Sequence, residues 1–312
     1  MKLYDLVKFR QRLHDEYNVD RAVAELTQVV SQLTDLERDL EPAYAEYIQH
    51  NITAHTDLIQ RIQEQHGTRQ QFIAELDQHI ELVTYELFSG TYDDEINRGM
   101  MNHEHRMNRS NSVPENSKDL LINRIRYYSD WHYPGMELGC RTGEMTSYLV
   151  TCDPLYIVDL DQSFLKKTSE QFSGLYQSRL RQYTINVIPD FSMLPQGQFG
   201  FIFSWDYFNY IALPTINIYL KGLFKLLRPG GTLMFTYNDG ETPTGAAYAE
   251  NRWNSYVPRS KLIAMAQQIG FEITHTESFN SGVLNWIELR HPGELETVKA
   301  HQALGEIRPR FV

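Results

Sequence analysis

The sequence has little of three features that each mark a particular kind of protein. Cysteine occurs only at Cys140 and Cys152, too few for a disulfide framework or a cysteine-rich zinc site. No run of about 18 apolar residues is present, so no membrane span is expected. The first eight residues mix charges too early for a signal peptide. We therefore expect a soluble protein in the reducing environment of the cytoplasm.

Basic residues are also scarce, with 29 Lys and Arg against 40 Asp and Glu, for a net charge of −11. The deficit is concentrated in residues 1–112, which hold 11 basic against 20 acidic side chains. An acidic surface repels phosphate backbones and anionic lipid headgroups. Nucleic acid and membrane surfaces are therefore disfavoured as partners. The length of 312 residues, of which 42% are hydrophobic, suits about two folded domains.

Apolar residues in the first 90 positions recur at helical spacing. One series begins at Val19 and continues in steps of three and four, and a second runs from Ile73 to Leu87. This spacing is typical of a coiled-coil seam or a narrow helical bundle. Pro42 is predicted to open a second helix, Gly67 to end it and Thr68 to cap a third.

Residues 1–90 are therefore interpreted as an all-α coiled-coil or helical-bundle domain. Two roles remain open for it, namely assembly of a homo-oligomer and docking of a partner or substrate-carrying protein.

Residues 91–117 lose this pattern and are interpreted as a linker or lid. They contain Asn102-His103-Glu104-His105-Arg106, in which two histidines flank a glutamate. The spacing differs from the His-Glu-x-x-His pattern of zinc helices, and no third ligand cluster is evident. We expect an exposed loop here and no metal site.

From residue 118 short β-like runs alternate with helical stretches. Such alternation predicts an α/β domain, residues 118–312, whose parallel sheet is covered by helices on both faces. Ligands of these sheets bind beyond the carboxyl ends of the strands, where the strand order reverses. The predicted strands are Met136–Leu138, Leu155–Val158, Tyr183–Ile188, Phe199–Phe203, Thr232–Tyr237, Phe271–Thr274 and Val283–Leu289. Helices are predicted at Ser163–Tyr176, Thr215–Leu227 and Arg259–Ile269.

A glycine-containing turn, Glu137-Leu138-Gly139-Cys140-Arg141-Thr142-Gly143, follows the first predicted strand. A turn of this kind that opens a helix directs backbone N–H groups at a polar ligand. Asp159 ends the second strand twenty residues after Gly139, an offset at which an acid can bind ribose hydroxyls. Neither G-x-G-x-x-G nor G-x-x-x-x-G-K-[ST] occurs, which disfavours a nicotinamide cofactor and excludes a Walker-type phosphate loop.

Four segments, in this order, resemble class I S-adenosylmethionine (SAM)-dependent methyltransferases over about residues 118–290. They are the Gly-rich motif Glu137 to Gly143, the second strand Tyr156 to Asp161, the segment Pro189 to Pro195, and the turn Leu226-Leu227-Arg228-Pro229-Gly230-Gly231-Thr232-Leu233. The resemblance implies a seven-stranded Rossmann-like sheet and SAM as the cofactor.

The same resemblance implies roles for individual residues. Glu137 and Gly139 would lie by the methionine part of the cofactor, together with Cys140, Arg141 and Gly143 of the same motif. Asp159 would hold the ribose and Leu160 would pack on the adenine. Asp190 would accept a hydrogen bond from the adenine amino group, and Phe191 would lie beside the adenine ring. Ser204 and Trp205 would lie nearest the methyl donor.

Arg141 departs from the family pattern because it replaces the middle glycine of the first motif. Its guanidinium could pair with the cofactor carboxylate. Its side chain could equally weaken cofactor binding, since glycine normally lets the backbone approach closely. Two functions therefore remain. One is a methyltransferase acting on an O or N atom of a small molecule or glycan, and the other is a non-catalytic scaffold with a methyltransferase fold.

Asp206, just after the fourth strand, is the candidate general base, with Tyr207 beside it. A helix-capping role for Asp206 is an equally good interpretation. His132, Tyr210 and Trp253 are secondary candidates for the acceptor pocket. The Asn/Asp-Pro-Pro-Tyr/Phe motif of many nucleic-acid N-methyltransferases is not matched by Ser204-Trp205-Asp206-Tyr207.

Overall fold

A computed structural model describes residues 3–15, 19–39, 42–83, 115–251, 253–279 and 282–295. The chain divides into two compact units, Met1–Thr84 and Tyr85–Val312. The His103-Glu104-His105 segment and the predicted boundary at residue 90 lie outside the described residues.

The first unit is helical, with α1 (Leu3–Asp15) and α2 (Val19–Asp39) both packed on the long helix α3 (Pro42–Val83). Leu6 and Val7 of α1 are buried, as are Ile73 and Ile80 of α3. An ion pair between Arg10 and Asp77 ties the same two helices together. Ile73 and Ile80, two members of the second predicted apolar series, are thus buried within this unit. None of the described helices is long and apolar enough to cross a membrane.

Helix α3 begins at Pro42, as predicted, but the prediction that Gly67 ends it is wrong. Gly67 lies in the helix interior, and the Thr68 hydroxyl donates to the Glu64 carbonyl (3.2 Å) instead of capping a new helix. A glycine costs a helix only about 1 kcal/mol relative to alanine. Residues 62–72 around Gly67 are exposed or half-buried, so it is the packing of α3 on α1 and α2 along the rest of its length that outweighs this cost.

Gly67→Ala should therefore stabilise the helical unit by about 1 kcal/mol, because alanine is the better helix former. A Cβ at this position meets no atom within 4 Å. The expected result is a rise of a few degrees in the melting temperature followed by circular dichroism at 222 nm. Gly270→Ala is the matched control, since Gly270 has φ +115° and should lose stability on the same change. Destabilisation by Gly67→Ala would contradict a continuous α3.

The second unit is an α/β fold whose elements alternate along the chain. Its strands are β1 (Gly135–Leu138), β2 (Leu155–Asp159), β3 (Arg181–Thr184), β4 (Phe199–Ser204), β5 (Leu227–Tyr237), β6 (Glu272–Phe279) and β7 (Leu284–Arg290). Its α-helices are α4 (Glu115–Tyr128), α5 (Gln162–Glu170), α6 (Gly174–Gln177), α7 (Leu213–Leu226), α8 (Pro243–Glu250) and α9 (Arg259–Ile269).

These strands form one seven-stranded sheet of order β3-β2-β1-β4-β5-β7-β6. The first five pair in parallel, and β7 runs antiparallel to both β5 and β6. One core packs Ile216 and Leu220 of α7 and Leu262 of α9 against one face. A second core packs Leu121 of α4 and Leu165 of α5 against the other. The predicted α/β sheet with helices on both faces is confirmed, but it is a mixed sheet and not the parallel sheet that was predicted, because β7 is antiparallel to its two neighbours.

Several boundaries differ from the prediction. β3 ends at Thr184, level with Asp159 of β2, because it pairs only through residues 181–184. The predicted helix Ser163–Tyr176 is divided into α5 and α6. Residues 115–117, predicted as linker, belong to α4.

The turn after β1 was expected to open a helix, yet only a 3₁₀ turn at Thr146–Tyr148 follows. The segment up to β2 is rich in Thr, Ser and Val, which are poor helix formers. The structure therefore offers no α-helix N-terminus at this turn.

Helix α4 is fixed to the sheet by a buried carboxylate, Glu288 of β7, whose side chain is 0% exposed. Arg124 Nε donates to Oε1 (2.8 Å), Tyr128 Oη donates to Oε2 (2.6 Å) and Trp286 Nε1 donates to Oε1 (3.3 Å). Burial alone would raise the pKa of Glu288, but the bonds from Arg124 and Tyr128 bring the pKa below its ordinary value. The ionised carboxylate is thus fully partnered.

Arg124→Met should destabilise the protein by about 3 kcal/mol at pH 7, because it leaves the Glu288 carboxylate buried without its counter-ion. The loss should shrink as the pH falls through the pKa of Glu288, since protonation removes the charge. Urea unfolding at pH 7 and pH 4 measures both effects. Arg126→Met, an exposed position on the same helix, is the control and should change stability by less than about 0.5 kcal/mol. Equal losses from the two variants would refute the role given to Glu288.

Candidate functional site

The candidate site lies where the strand order reverses, between the carboxyl ends of β1 and β4. The chain passes outward from β1 to β3 and returns to β4 on the other side of β1. Ser204 Oγ at the end of β4 donates to the Leu138 carbonyl at the end of β1 (2.8 Å). A crevice at this position is where ligands of open α/β sheets bind.

Both loops at this crevice contain left-handed backbone. Gly139 and Gly143 have φ of +76° and +82°, and Arg141 between them has φ +51°. Across the crevice Asp206 has φ +49°. Arg141 and Asp206 are the two non-glycine residues with positive φ in the described part of the chain. Such residues cost about 1–3 kcal/mol each and persist only where the surrounding structure holds them.

The guanidinium of Arg141 crosses the crevice to Asp206. Its Nη1 lies 3.3 Å from Asp206 Oδ2, and its Nη2 donates to the Asp206 carbonyl oxygen. The same guanidinium lies 5.9 Å from the centre of the Tyr210 ring. Its Nε is buried and has no hydrogen-bond partner. One donor of this cation is therefore left unsatisfied within the chain.

Asp159 holds the turn in place with its side chain. Its oxygens accept from the backbone N–H of Arg141 (2.8 Å), Leu160 (2.7 Å) and Asp161 (3.3 Å). Burial raises the pKa of Asp159, and these N–H bonds oppose that rise. A carboxylate has about four lone-pair positions, so limited acceptor capacity remains for a further hydroxyl. Its ribose-binding role remains a prediction.

The turn is held from the other side by two residues that sequence reasoning missed, Thr168 of α5 and Gln171 directly after it. Thr168 Oγ1 donates to the Arg141 carbonyl (2.7 Å), and the Gln171 side chain donates to the Thr142 carbonyl. A Cβ on Gly143 would lie 2.9 Å from Gln171 Nε2, so the end of the Gln171 side chain would have to shift to accommodate it. Their spacing of three places both on one helical face, which is the only signal that could have indicated them.

Glu137, the last-but-one residue of β1, is buried and accepts from the Thr146 hydroxyl. Burial raises the pKa of Glu137 to about 8, and the negative charges of Asp159 and Glu144 add to the rise. The neighbouring Cys140 thiol is also buried, which raises its pKa well above the ordinary value. At neutral pH Glu137 is therefore mostly protonated, and a nearby cation would favour its ionisation.

Glu137→Gln should remove a pH dependence of stability. Because the pKa of Glu137 in the folded chain lies above its value of about 4.5 in an unfolded one, its stabilising contribution is complete below pH 4.5 and is lost as the pH rises through 8. Urea unfolding at pH 5 and pH 8.5 should show the variant gaining about 2 kcal/mol or more on the wild type at the higher pH. Glu170→Gln, on an exposed turn of α5, is the control. If the free energies of unfolding of Glu137→Gln and wild type change in parallel with pH, the burial effect on Glu137 is contradicted.

Tyr207 packs directly on the Gly-rich turn. A Cβ on Gly139 would lie 2.4 Å from Tyr207 Cδ2, and the Tyr207 hydroxyl lies 2.7 Å from that of Tyr219. Phe191 lies in the same cluster, with its ring centre 5.9 Å from that of Tyr219 and with Leu160 packed against the cluster. Phe191 and Tyr207 are thus both buried core residues in this structure.

Other candidates are spread more widely. Asp190 is exposed, and its bonds with Ser192 lower its pKa. It lines a cavity of about 350 Å³ together with Phe191 and Lys225, whereas Asp159 and Leu160 do not line that cavity. Trp205 is buried in the second core. His132, bonded to Asp130, precedes β1 and so lies at the amino ends of the strands, which corrects its assignment to the acceptor pocket.

A buried polar cluster adjoins the crevice beyond β4 and β5. The backbone N–H of Asp206 donates to Thr236 Oγ1 (2.7 Å), which donates to Asn209 Oδ1 (3.1 Å). Asn238 Nδ2 donates to the Ser255 carbonyl (2.9 Å), and the Ser255 N–H donates to the Asn209 carbonyl (2.8 Å). Asn209 Nδ2, Asn238 Oδ1 and Ser255 Oγ are buried without a hydrogen-bond partner. The sequence singled out none of these three residues as an individual cofactor-binding or catalytic residue.

Residues 136–233 match the family described as "Methyltransferase domain", which includes the Gly-rich turn, Asp159, β4 and the start of β5. The match lies within the α/β unit and spans a little under a third of the chain. No curated protein matches the sequence.

Solved structures resemble this chain at low identity. An S-adenosylmethionine-dependent methyltransferase from Mesorhizobium loti is 12% identical over 55% of this chain and 95% of its own, with a TM-score of 0.45. The N-methyltransferase NodS from Bradyrhizobium japonicum WM9, solved with S-adenosyl-L-homocysteine (SAH), is 16% identical over 64% and 97%, with a TM-score of 0.47. A possible exported protein from Bordetella parapertussis is 13% identical over 55% and 66%, with a TM-score of 0.46.

Proposed function

We propose that the methyltransferase domain binds SAM in the crevice between β1 and β4 and transfers its methyl group to an O or N atom of a small molecule or glycan. The observation that carries the proposal is the charge arrangement of the crevice. Arg141 has a buried donor, Nε, without a partner, while Glu137 and Asp159 lie at the ends of β1 and β2.

These groups match the chemistry of the cofactor part by part. A guanidinium N–H suits a carboxylate, since charge-assisted bonds of this type are short and strong. Next to the ammonium group of the cofactor, the Glu137 carboxyl group would lose its proton and become charged. Asp159 would accept from ribose hydroxyls with its remaining lone pair. Glu137, Gly139, Cys140, Arg141, Gly143, Asp159 and Leu160 are the proposed contacts, with Asp190, Phe191, Ser204 and Trp205 as further members.

The cofactor, when bound, supplies an electrophilic methyl group on a sulfonium, and the chain's own residues would prepare the acceptor. Asp206 is our candidate to take the proton of an acceptor hydroxyl, because it directly follows β4. Tyr207 would contribute by packing, since its hydroxyl is bonded to Tyr219 and its ring contacts Gly139. Positioning of the two reactants can supply much of the rate.

An uncharged polar acceptor is supported by the cluster beyond β4 and β5. Asn209 Nδ2, Asn238 Oδ1 and Ser255 Oγ offer a donor, an acceptor and a hydroxyl, all without partners. Buried polar atoms are normally satisfied by water or by a ligand. Trp253, which is 51% exposed, lies close to Tyr248 of α8 and could stack on a sugar ring.

The test is calorimetric titration of the full chain with SAM and SAH. We expect both to bind, and we expect Asp159→Asn to weaken binding by about 10–100-fold, the worth of a hydrogen bond to a charged group. Asp161→Asn, which alters the adjacent cap of α5, is the control and should bind like wild type. Thermal melting establishes that both variants are folded. Unchanged affinity in folded Asp159→Asn would refute the ribose assignment.

The second candidate function is a non-catalytic scaffold with a methyltransferase fold. It is favoured by the Tyr207 ring against Gly139 and by the three N–H bonds that Asp159 already accepts. Absence of any binding of SAM and SAH to the folded protein would support it.

We further propose that the chain self-associates through its N-terminal helices and works in the cytoplasm. Leu58 and Phe72 of α3 are 45% and 47% exposed, which leaves apolar surface on this helix for a second copy.

The proposed location in the cytoplasm is supported by the cysteines. Cys140 and Cys152 are both unpaired thiols, which suits a reducing compartment.

A further inference from the structure

Arg141 and Asp206 form a bridge between two strained loops. Each has left-handed backbone, and each lies within three residues of the end of one of the two strands that flank the crevice. The side chain of Arg141 is 16% exposed and that of Asp206 is 8% exposed, so the pair is shielded from solvent. In such surroundings each charge needs a partner.

The bridge uses only part of the guanidinium. Nη1 and Nη2 contact Asp206, whereas Nε is buried without a partner. A carboxylate prefers two parallel N–H bonds from one edge of a guanidinium. The edge formed by Nε and one Nη therefore suits a second carboxylate, which would compete with Asp206 for the shared Nη.

We infer that Arg141 exchanges one carboxylate partner for another when the cofactor binds. Its guanidinium releases the Asp206 carboxylate and pairs with the carboxylate of the cofactor's amino acid part. The inference rests on the proposed function and deepens it. Exchange of one carboxylate for another keeps the buried guanidinium paired throughout. It also separates Asp206 from its counter-ion, which favours uptake of the acceptor's proton by this carboxylate.

The experiment compares two nucleosides that differ in a single group. SAH carries the carboxylate, and decarboxylated SAH keeps the amino group but lacks it. Dissociation constants are measured by calorimetry for the full chain as wild type, Arg141→Gln, Arg141→Lys and Asp206→Asn. Arg179→Gln, which removes an exposed arginine paired with Asp153, is the matched control.

Wild type and Arg179→Gln should prefer SAH over the decarboxylated form by about 10–100-fold, the worth of a charge-assisted hydrogen bond. Arg141→Gln should lose most of that preference, and Arg141→Lys should keep part of it. Asp206→Asn should raise affinity for SAH several-fold and leave the decarboxylated form unchanged, because the competing charge is gone. Asparagine tolerates left-handed backbone, so this variant should fold.

Two results would overturn the inference while leaving the proposed cofactor site intact. One is an unchanged preference in Arg141→Gln, and the other is tighter binding of both nucleosides in that variant, which would make Arg141 an obstruction. Failure of every variant, wild type included, to bind either nucleoside would instead overturn the proposed function and the inference with it.

Discussion

The hydrogen bonds of the Asp159 carboxylate with three backbone N–H groups are the interaction on which the site depends. They tie the turn after β1 to the end of β2. Without them a left-handed conformation at Arg141 would be costly, because its side chain lacks the freedom of glycine. Thr168 of α5 strengthens the same arrangement by donating to the Arg141 carbonyl. The direction of the Arg141 side chain thus follows from contacts made by its backbone.

That direction decides the electrostatics of the crevice. The guanidinium reaches Asp206 beyond β4, so the acid that sequence reasoning took for a free base or a helix cap is an ion-pair partner in the structure. No α-helix begins after the Gly-rich turn, and the positive end of a helix dipole is missing. Arg141 is therefore the main source of positive charge at this turn. The replacement of glycine by arginine and the loss of the helix are consistent with each other.

The fold could be predicted from the sequence because its signals are periodic and local. Apolar runs located all seven strands, and α9 was predicted with its observed bounds, Arg259–Ile269. Gly67 misled the prediction because a glycine signal is local, whereas the continuity of α3 depends on packing against α1 and α2. The site was less predictable. Arg141 lies 65 residues from its partner Asp206, and only the folded chain brings the two together. The nearer contacts of Glu137 with Thr146 and of Tyr207 with Tyr219 are not marked by any motif.

The proposed functions differ in what the buried groups of the crevice would gain from a ligand. In a scaffold, a buried neutral Glu137 and a buried Arg141 Nε without a partner would each lower the stability of the fold, and no contact would compensate for the loss. In a methyltransferase, a zwitterionic ligand would supply both missing partners. Its ammonium group favours ionised Glu137, and its carboxylate pairs with Arg141. Glu137 can carry a negative charge and Arg141 carries a positive one, and the two side chains come from the same turn. They therefore match the ammonium and the carboxylate of an amino acid. This correspondence favours the enzyme.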